Sequence, residues 1–197
     1  MSTEPHPLTG PIFKMIAPRR WLRELGRVDA ALYATVAGTP TPALDKSMRR
    51  LSGAANYSRL SIVSAAVLAL AGGPNGRRAA AFGLASVTVT ATVVNLGVKP
   101  LSRRGRPDRV AERVPMDRHV RMPVSTSFPS GHAAAAFAFA TGVGHVSPTA
   151  AIPLRVLAAL VGYSRVHTGV HYPGDVVVGS LMGTTLAQLT TQVLDHR

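Results

Sequence analysis

The chain has 197 residues, of which 22 are Lys or Arg and 9 are Asp or Glu, for a formal net charge of +13 with histidines neutral. Charged residues make up only 16% of it and hydrophobic ones 46%, with a mean hydropathy of +0.18, which excludes both a disordered polycation and an ordinary polar globule. The absence of cysteine excludes a disulfide framework, a thiolate metal site and a cysteine nucleophile, and leaves the redox compartment unread.

The first ten residues, MSTEPHPLTG, carry no apolar run behind a basic start and read as a tail rather than a cleavable secretory signal. From Pro18 to Val36 the residues Trp21, Leu22, Leu25, Val28, Leu32 and Val36 recur at helical spacing, with Arg19, Arg20, Arg23 and Arg27 largely elsewhere around the helix. That is a basic amphipathic helix, suited either to a membrane surface or to packing on the rest of the fold. After the helix-breaking TPTP at 39–42 a second basic amphipathic piece runs from Ala43 to Leu51.

Beyond Gly53 the chain changes to long uncharged stretches: Leu60–Gly73, Ala79–Val98, Ala133–Val146, Ala150–Tyr163 interrupted by Arg155, and Val176–Leu194. By length these are helices. A spanning helix needs about 20 mainly apolar residues, and only Ala79–Val98 and Val176–Leu194 come near that unaided. Their Ala, Gly, Ser and Thr content suits close helix packing in a bilayer. The reading is one compact all-α domain, a multi-span membrane bundle in which residues 1–52 form a tail with basic amphipathic helices and residues 53–197 the main domain.

Two polar connections, Lys99–His132 and Ser164–Asp175, hold nearly all the reactive side chains. In the first, Lys99 ends an apolar helix and Arg103, Arg104, Arg106 and Arg109 follow. An Arg cluster at a helix end suits an interface anchor as readily as a site, and with no aromatic residue interleaved it does not describe a nucleic-acid surface. Phe128-Pro129-Ser130-Gly131-His132 then opens a helix. Ser130 can cap it, Gly131 permits close approach, and the free N–H groups of a first turn favour phosphate. His132 would stand beside such a phosphate, placed to protonate a leaving group.

The second connection contains Ser164-Arg165, His167, His171 and Asp175, the last being the only acidic residue between Asp117 and Asp195. A carboxylate on one imidazole nitrogen frees the other as nucleophile or base; Asp175 can also cap the following helix. The i, i+4 spacing of His167 and His171 lacks an intervening HExxH glutamate and straddles Gly169, so no metal ligand set is expected.

Lys99 with Arg106-Pro107, Pro129-Ser130-Gly131-His132, and Ser164-Arg165 with His171 and Asp175 together resemble the three-part signature of the type 2 phosphatidic acid phosphatase (PAP2) superfamily, at all of its fixed positions. The resemblance implies a helical membrane phosphatase that needs no metal or other cofactor. It assigns His171 as nucleophile, Asp175 as its orienting group, His132 as general acid, and Lys99, Arg106, Ser130, Gly131 and Arg165 as the phosphate cradle. Arg103, Arg104, Arg109, Arg113, Arg118, Arg121, His119 and His167 receive no role from it, and solvation or interface anchoring is the default for each.

The implied activity is removal of a phosphate from a lipid or polyprenyl phosphate or diphosphate through a phosphohistidine. The partners are thus the lipid substrate and the membrane, with no nucleic acid. The Arg- and Ala-rich composition, 19 Arg to 3 Lys with 29 Ala, fits a GC-rich bacterial genome and tilts the expectation toward a polyprenyl-linked sugar phosphate of cell-wall synthesis. The alternatives are a soluble acid phosphatase or vanadium haloperoxidase-like relative, and a non-enzymatic basic membrane-binding protein. The substrate, the membrane face of the site and the oligomeric state stay open.

Overall fold

The computed structural model describes residues 17–196, with side chains from residue 20 onward; the expected tail lies outside the described residues. The described residues form helices and loops. The elements are α1 (Ala17–Gly38), α2 (Pro42–Ala54), α3 (Arg59–Ala71), α4 (Gly73–Thr92), α5 (Gly131–Val146), α6 (Pro148–His167) and α7 (Pro173–Asp195), with a π segment Val93–Val98 and a 3-10 turn Lys99–Leu101 continuing α4. The uncharged stretches therefore fold as the helices their length demanded, and an all-α bundle is the architecture.

Small residues set the packing. α5 lies between α4, α6 and α7, and its Ala133, Ala134, Ala138 and Ala140 are fully buried. Side chains of this size let helix axes approach until backbones touch. At Gly183 of α7 a Cβ would lie 2.1 Å from the Ala134 carbonyl oxygen, and at Gly179 it would lie 2.5 Å from that of Ser130. Between α4 and α5 the larger Phe139, Val143 and Val87 fill the remaining volume.

Among the described residues two helices are long and apolar enough to cross a membrane, Gly73–Leu101 and Pro148–His167; the pair Pro42–Ala54 and Asn56–Ala71, bent by 68°, makes a third if it is one span. Sequence reading favoured Val176–Leu194 over Ala150–Tyr163, and the structure reverses the order. α6 gains length at its polar end because Arg165 and His167 are buried against protein, whereas α7 carries Thr184, Thr185, Gln188, Thr190, Thr191 and Gln192 in its second half. Ile62, Val63, Val67 and Leu70 on α3, Ile152 and Val156 on α6, and Val177, Leu181 and Leu189 on α7 are exposed. An apolar surface of that extent belongs in lipid, and the chain is a membrane protein.

α1 resolves the choice between surface and packing. Its apolar stripe, Trp21, Leu22, Leu25, Val28 and Leu32, is more than half exposed, while Asp29, Tyr33 and Ala37 are buried and the helix touches α6 and α7. The inward face is thus the narrower, partly polar one. The stripe lines an open groove of about 630 Å³ with Phe128 and Val177.

Gly183→Ala should lower the melting temperature in detergent, the collision with Ala134 costing about 1–3 kcal/mol. Gly26→Ala, where a Cβ meets nothing within 4 Å, should hold or raise it, since Ala exceeds Gly in a helix by roughly 1 kcal/mol. Equal melting temperatures for the two variants would contradict the backbone contact.

Candidate active site

The end of α4, the starts of α5 and α7, the end of α6 and the α2–α3 turn meet at one end of the bundle. The π segment immediately precedes Lys99; such segments shift the phase of a helix and concentrate at functional sites. Ser130 is the N-cap of α5, its hydroxyl facing the Ala133 N–H at 3.5 Å, and its own N–H donates to the Asp175 carbonyl at 2.9 Å. That bond ties the first turn of α5 to the first turn of α7.

His171, in the loop between α6 and α7, is 1% exposed. Its Nδ1 lies 3.5 Å from Asp175 Oδ2 and 3.5 Å from Ser127 Oγ, loose contacts of the kind that tighten when substrate is bound. Asp175, fully buried, accepts from the Ser127 hydroxyl, from Arg104 Nη1 at 2.9 Å and from the Tyr172 N–H at 3.0 Å. It therefore serves both expected roles, carboxylate beside the imidazole and N-terminal acceptor of α7. On the other side, His171 Nε2 faces Arg106 Nη1 at 3.3 Å.

Arg106 is held by the Ser125, Thr126 and Val170 carbonyls, Arg165 by the carbonyl and hydroxyl of Ser52, and Lys99, among the described residues, only by Ser125 Oγ at 3.5 Å. Arg165 is 2% exposed and its Nε has no hydrogen-bond partner. None of these three cations pairs with a carboxylate among the described residues. A Cβ on Gly131 would come to 3.4 Å from Lys99 Nζ, so the glycine and the ammonium border the same space. His132 Nε2 bonds Asn56 Oδ1 at 2.9 Å, and Lys99, Arg106, Arg165 and His171 are all near enough to act on it electrostatically.

The eight residues singled out by the motif, His171, His132, Asp175, Lys99, Arg106, Ser130, Gly131 and Arg165, are thus brought to one place. His167 is not among them: its Nε2 bonds Thr41 Oγ1 at 2.9 Å and lies 3.3 Å from Asp45, so the two histidines four apart serve different clusters. Among the described residues no group of three His, Cys, Asp or Glu could hold a metal ion.

Sequence reading missed the supports. Arg104 bridges Asp175 to Asp29 of α1, and Asp29 also accepts the Gly174 N–H at 2.7 Å. Arg118, fully buried, donates to Asp45, to the Thr41 hydroxyl and to the carbonyls of Val36, Ala37 and Thr39, and Arg109 donates to the Val120 carbonyl. For these three arginines solvation is the wrong default. The available signal was the scarcity of acids: a chain with 9 of them that places Asp29 and Asp45 in helices where basic residues predominate has partners for them elsewhere.

The model of the PAP2 superfamily matches residues 80–197. The chain belongs to that superfamily. It is 39% identical over 97 residues to a decaprenylphosphoryl-5-phosphoribose phosphatase of Mycobacterium tuberculosis, covering 49% of this chain and 51% of the relative. Over 72 residues it is 40% identical to an undecaprenyl-diphosphatase of Sulfolobus acidocaldarius, covering 36% of this chain and 35% of that one. The matched region thus spans about half or less of these relatives. Among solved structures, Aquifex aeolicus LpxE superposes with a TM-score of 0.68 at 24% identity over 84% of this chain and 95% of its own. The first transmembrane PAP2-type phosphatidylglycerolphosphate phosphatase from Bacillus subtilis gives 0.65 at 24% identity over 88% and 87%. Both likenesses show the fold.

Burial pushes the His171 imidazole down to about 4; the hydrogen bond to Asp175 opposes this, and the charges of Arg106 and Arg165 reinforce it. The ring is then a free base at every pH well above that value, whereas an ordinary histidine protonates near about 6.5. Ring-labelled histidine NMR in detergent, with His171 identified by its loss in His171→Gln, should show a neutral imidazole at pH 5.5. A midpoint near 6.5 would contradict the burial.

Proposed function

We propose that the protein is a multi-pass cell-membrane phosphatase that removes a phosphate from a lipid or polyprenyl phosphate without a metal ion. The observation that carries this reading is the set of cations, Lys99, Arg106 and Arg165, that have no carboxylate partner among the described residues and converge on a buried imidazole. Sequestering charges in this way costs several kcal/mol per ion unless they are compensated, and a phosphate dianion compensates them. Catalysis of phosphoryl transfer is mostly positioning and charge stabilisation, and guanidinium, ammonium and the N–H groups of the α5 first turn supply both.

In this mechanism the Nε2 lone pair of His171 forms a bond to phosphorus as the bond to the ester oxygen breaks in line. Asp175 at Nδ1 stabilises the positive ring that results. A bound dianion favours the protonated form of His132, which gives its proton to the departing oxygen. Water then attacks the phosphohistidine, His132 taking its proton, and the P–N bond breaks to release phosphate and free His171. Gly131, in the first turn of α5, presents its backbone N–H to a phosphoryl oxygen, while the Ser130 N–H stays on the Asp175 carbonyl and holds that turn in place.

The substrate class follows from the setting and the relatives. The exposed apolar belt supports a site at the end of a lipid-embedded bundle, within reach of a phosphate on a long apolar anchor. The likeness to the mycobacterial decaprenylphosphoryl-5-phosphoribose phosphatase supports a polyprenyl-linked sugar phosphate, in keeping with the composition.

Detergent-purified protein should release phosphate from a polyprenyl-linked sugar phosphate in the presence of EDTA. His171→Ala should lower the rate by at least about 10³-fold. Arg104→Gln, which removes a charged hydrogen bond of about 1.5–3 kcal/mol from Asp175, should lower it roughly 10- to 100-fold. Loss of turnover with EDTA, or equal rates for wild type and His171→Ala, would overturn the metal-free histidine mechanism. Binding of the lipid without release from any substrate would favour a non-enzymatic role.

A further inference from the structure

Two cavities open beside His132, and their linings differ. The first, about 220 Å³, is bounded by Ala55, Ala91 and Ala135 and by the cradle residues Lys99 and Gly131. The second, about 390 Å³, is bounded by Asn56, Tyr57, Val124, Ser125 and Arg121. Ser125 is shared with the cradle through its contacts to Lys99 and Arg106, so the second cavity is continuous with the phosphate position on the side where His132 stands.

Arg121 is exposed, and it makes no hydrogen bond or ion pair within the described residues. Arg103 and Arg113 of the same loop are likewise exposed and uncommitted but line neither cavity, whereas Arg104, Arg106, Arg109 and Arg118 are each committed to carboxylates or carbonyls of the fold. The turn opposite is strained. Tyr57 and Ser58 both sit at φ 55, a left-handed conformation that non-glycine residues hold only where the surroundings enforce it, most often at functional sites. Here it sets Asn56 on His132 and leaves the Tyr57 ring 83% exposed at the rim of both cavities. Arg59 lies over that ring, 5.5 Å from its centroid.

On the proposed mechanism, upon which this inference rests, the leaving group departs past His132 and must occupy one of these cavities. The one that carries an uncommitted guanidinium suits an anion, because a planar fork of N–H donors matches phosphate oxygens. We propose that Arg121 is a specificity residue for a second phosphate group within the leaving group. The favoured substrates are then lipids whose scissile phosphate is followed by a phosphodiester or by the inner phosphate of a diphosphate, in preference to simple lipid monophosphates.

Binding tests this without turnover. Dissociation constants of farnesyl methylenediphosphonate and farnesyl phosphonate, two non-hydrolysable probes with the same chain, are measured by calorimetry in detergent for wild type, Arg121→Ala and Arg121→Lys. Wild type should prefer the diphosphonate at least tenfold. Arg121→Ala should bring the preference below twofold, and Arg121→Lys should retain part of it. No preference in wild type, or an undiminished preference in Arg121→Ala, would overturn the proposal. Because Arg121 is solvent-facing, its variants should melt with wild type. Phosphate release from the hydrolysable substrates, run in parallel, reports separately on the catalytic reading: its absence would sink the phosphatase mechanism while the ratio of dissociation constants still decides the role of Arg121.

Discussion

A single buried carboxylate organises this end of the molecule. Asp175 is fully enclosed, and an ionised group without water must find its hydrogen bonds in the protein. It does so from four directions: Ser127 in the loop before α5, Arg104 in the loop after α4, the Tyr172 N–H at the head of its own helix, and the ring of His171 one turn back. Its main-chain carbonyl meanwhile receives the Ser130 N–H. One residue thus fixes the relative placement of α5, α7 and both polar loops, and displacing any partner would leave a charge stranded in a dry interior.

Such convergence is possible only because the helices beneath it are thin. Glycine and alanine where α7 meets α5 bring the two backbones into contact at Gly179 and Gly183, and contact at Gly179 is made with the residue that caps α5. The small residues that make the bundle compact also set the distance across the site. Lipid offers apolar side chains no hydrophobic drive toward one another, so close packing carries the association, and many of the larger Leu, Ile and Val side chains, Ile62, Leu70, Ile152 and Leu181 among them, face outward.

The parts of the site written as local spacing were legible in the sequence. Ser130 before an alanine run announces a helix start, and an isolated Asp175 four residues beyond His171 announces a pair; the structure has both. Helix identity was legible from uncharged length, although the spanning potential of α6 was undervalued because the burial of Arg165 and His167 against Ser52 and Thr41 depends on a tertiary approach that no local pattern encodes. The same reason hid Asp29, Asn56 and Ser52. Each makes its contact across more than 70 residues of chain, and in sequence each is one polar residue in an amphipathic or turn segment. Arg104 and Arg118 were lost among other arginines, since a charge cluster does not reveal which members will be enclosed.

α1, α2 and the connection between them lie before the segment that the family model covers, yet they furnish Asp29 for Arg104, Asp45 and the Val36, Ala37 and Thr39 carbonyls for Arg118, and Ser52 for Arg165. The signature-bearing helices are therefore not portable. Grafted onto another membrane scaffold, or expressed from α4 onward, they would bring the reactive side chains but leave two enclosed guanidinium groups without their acceptors. A transplantable catalyst of this kind has to include the amphipathic helix, whose apolar stripe rests outside while Asp29 reaches in.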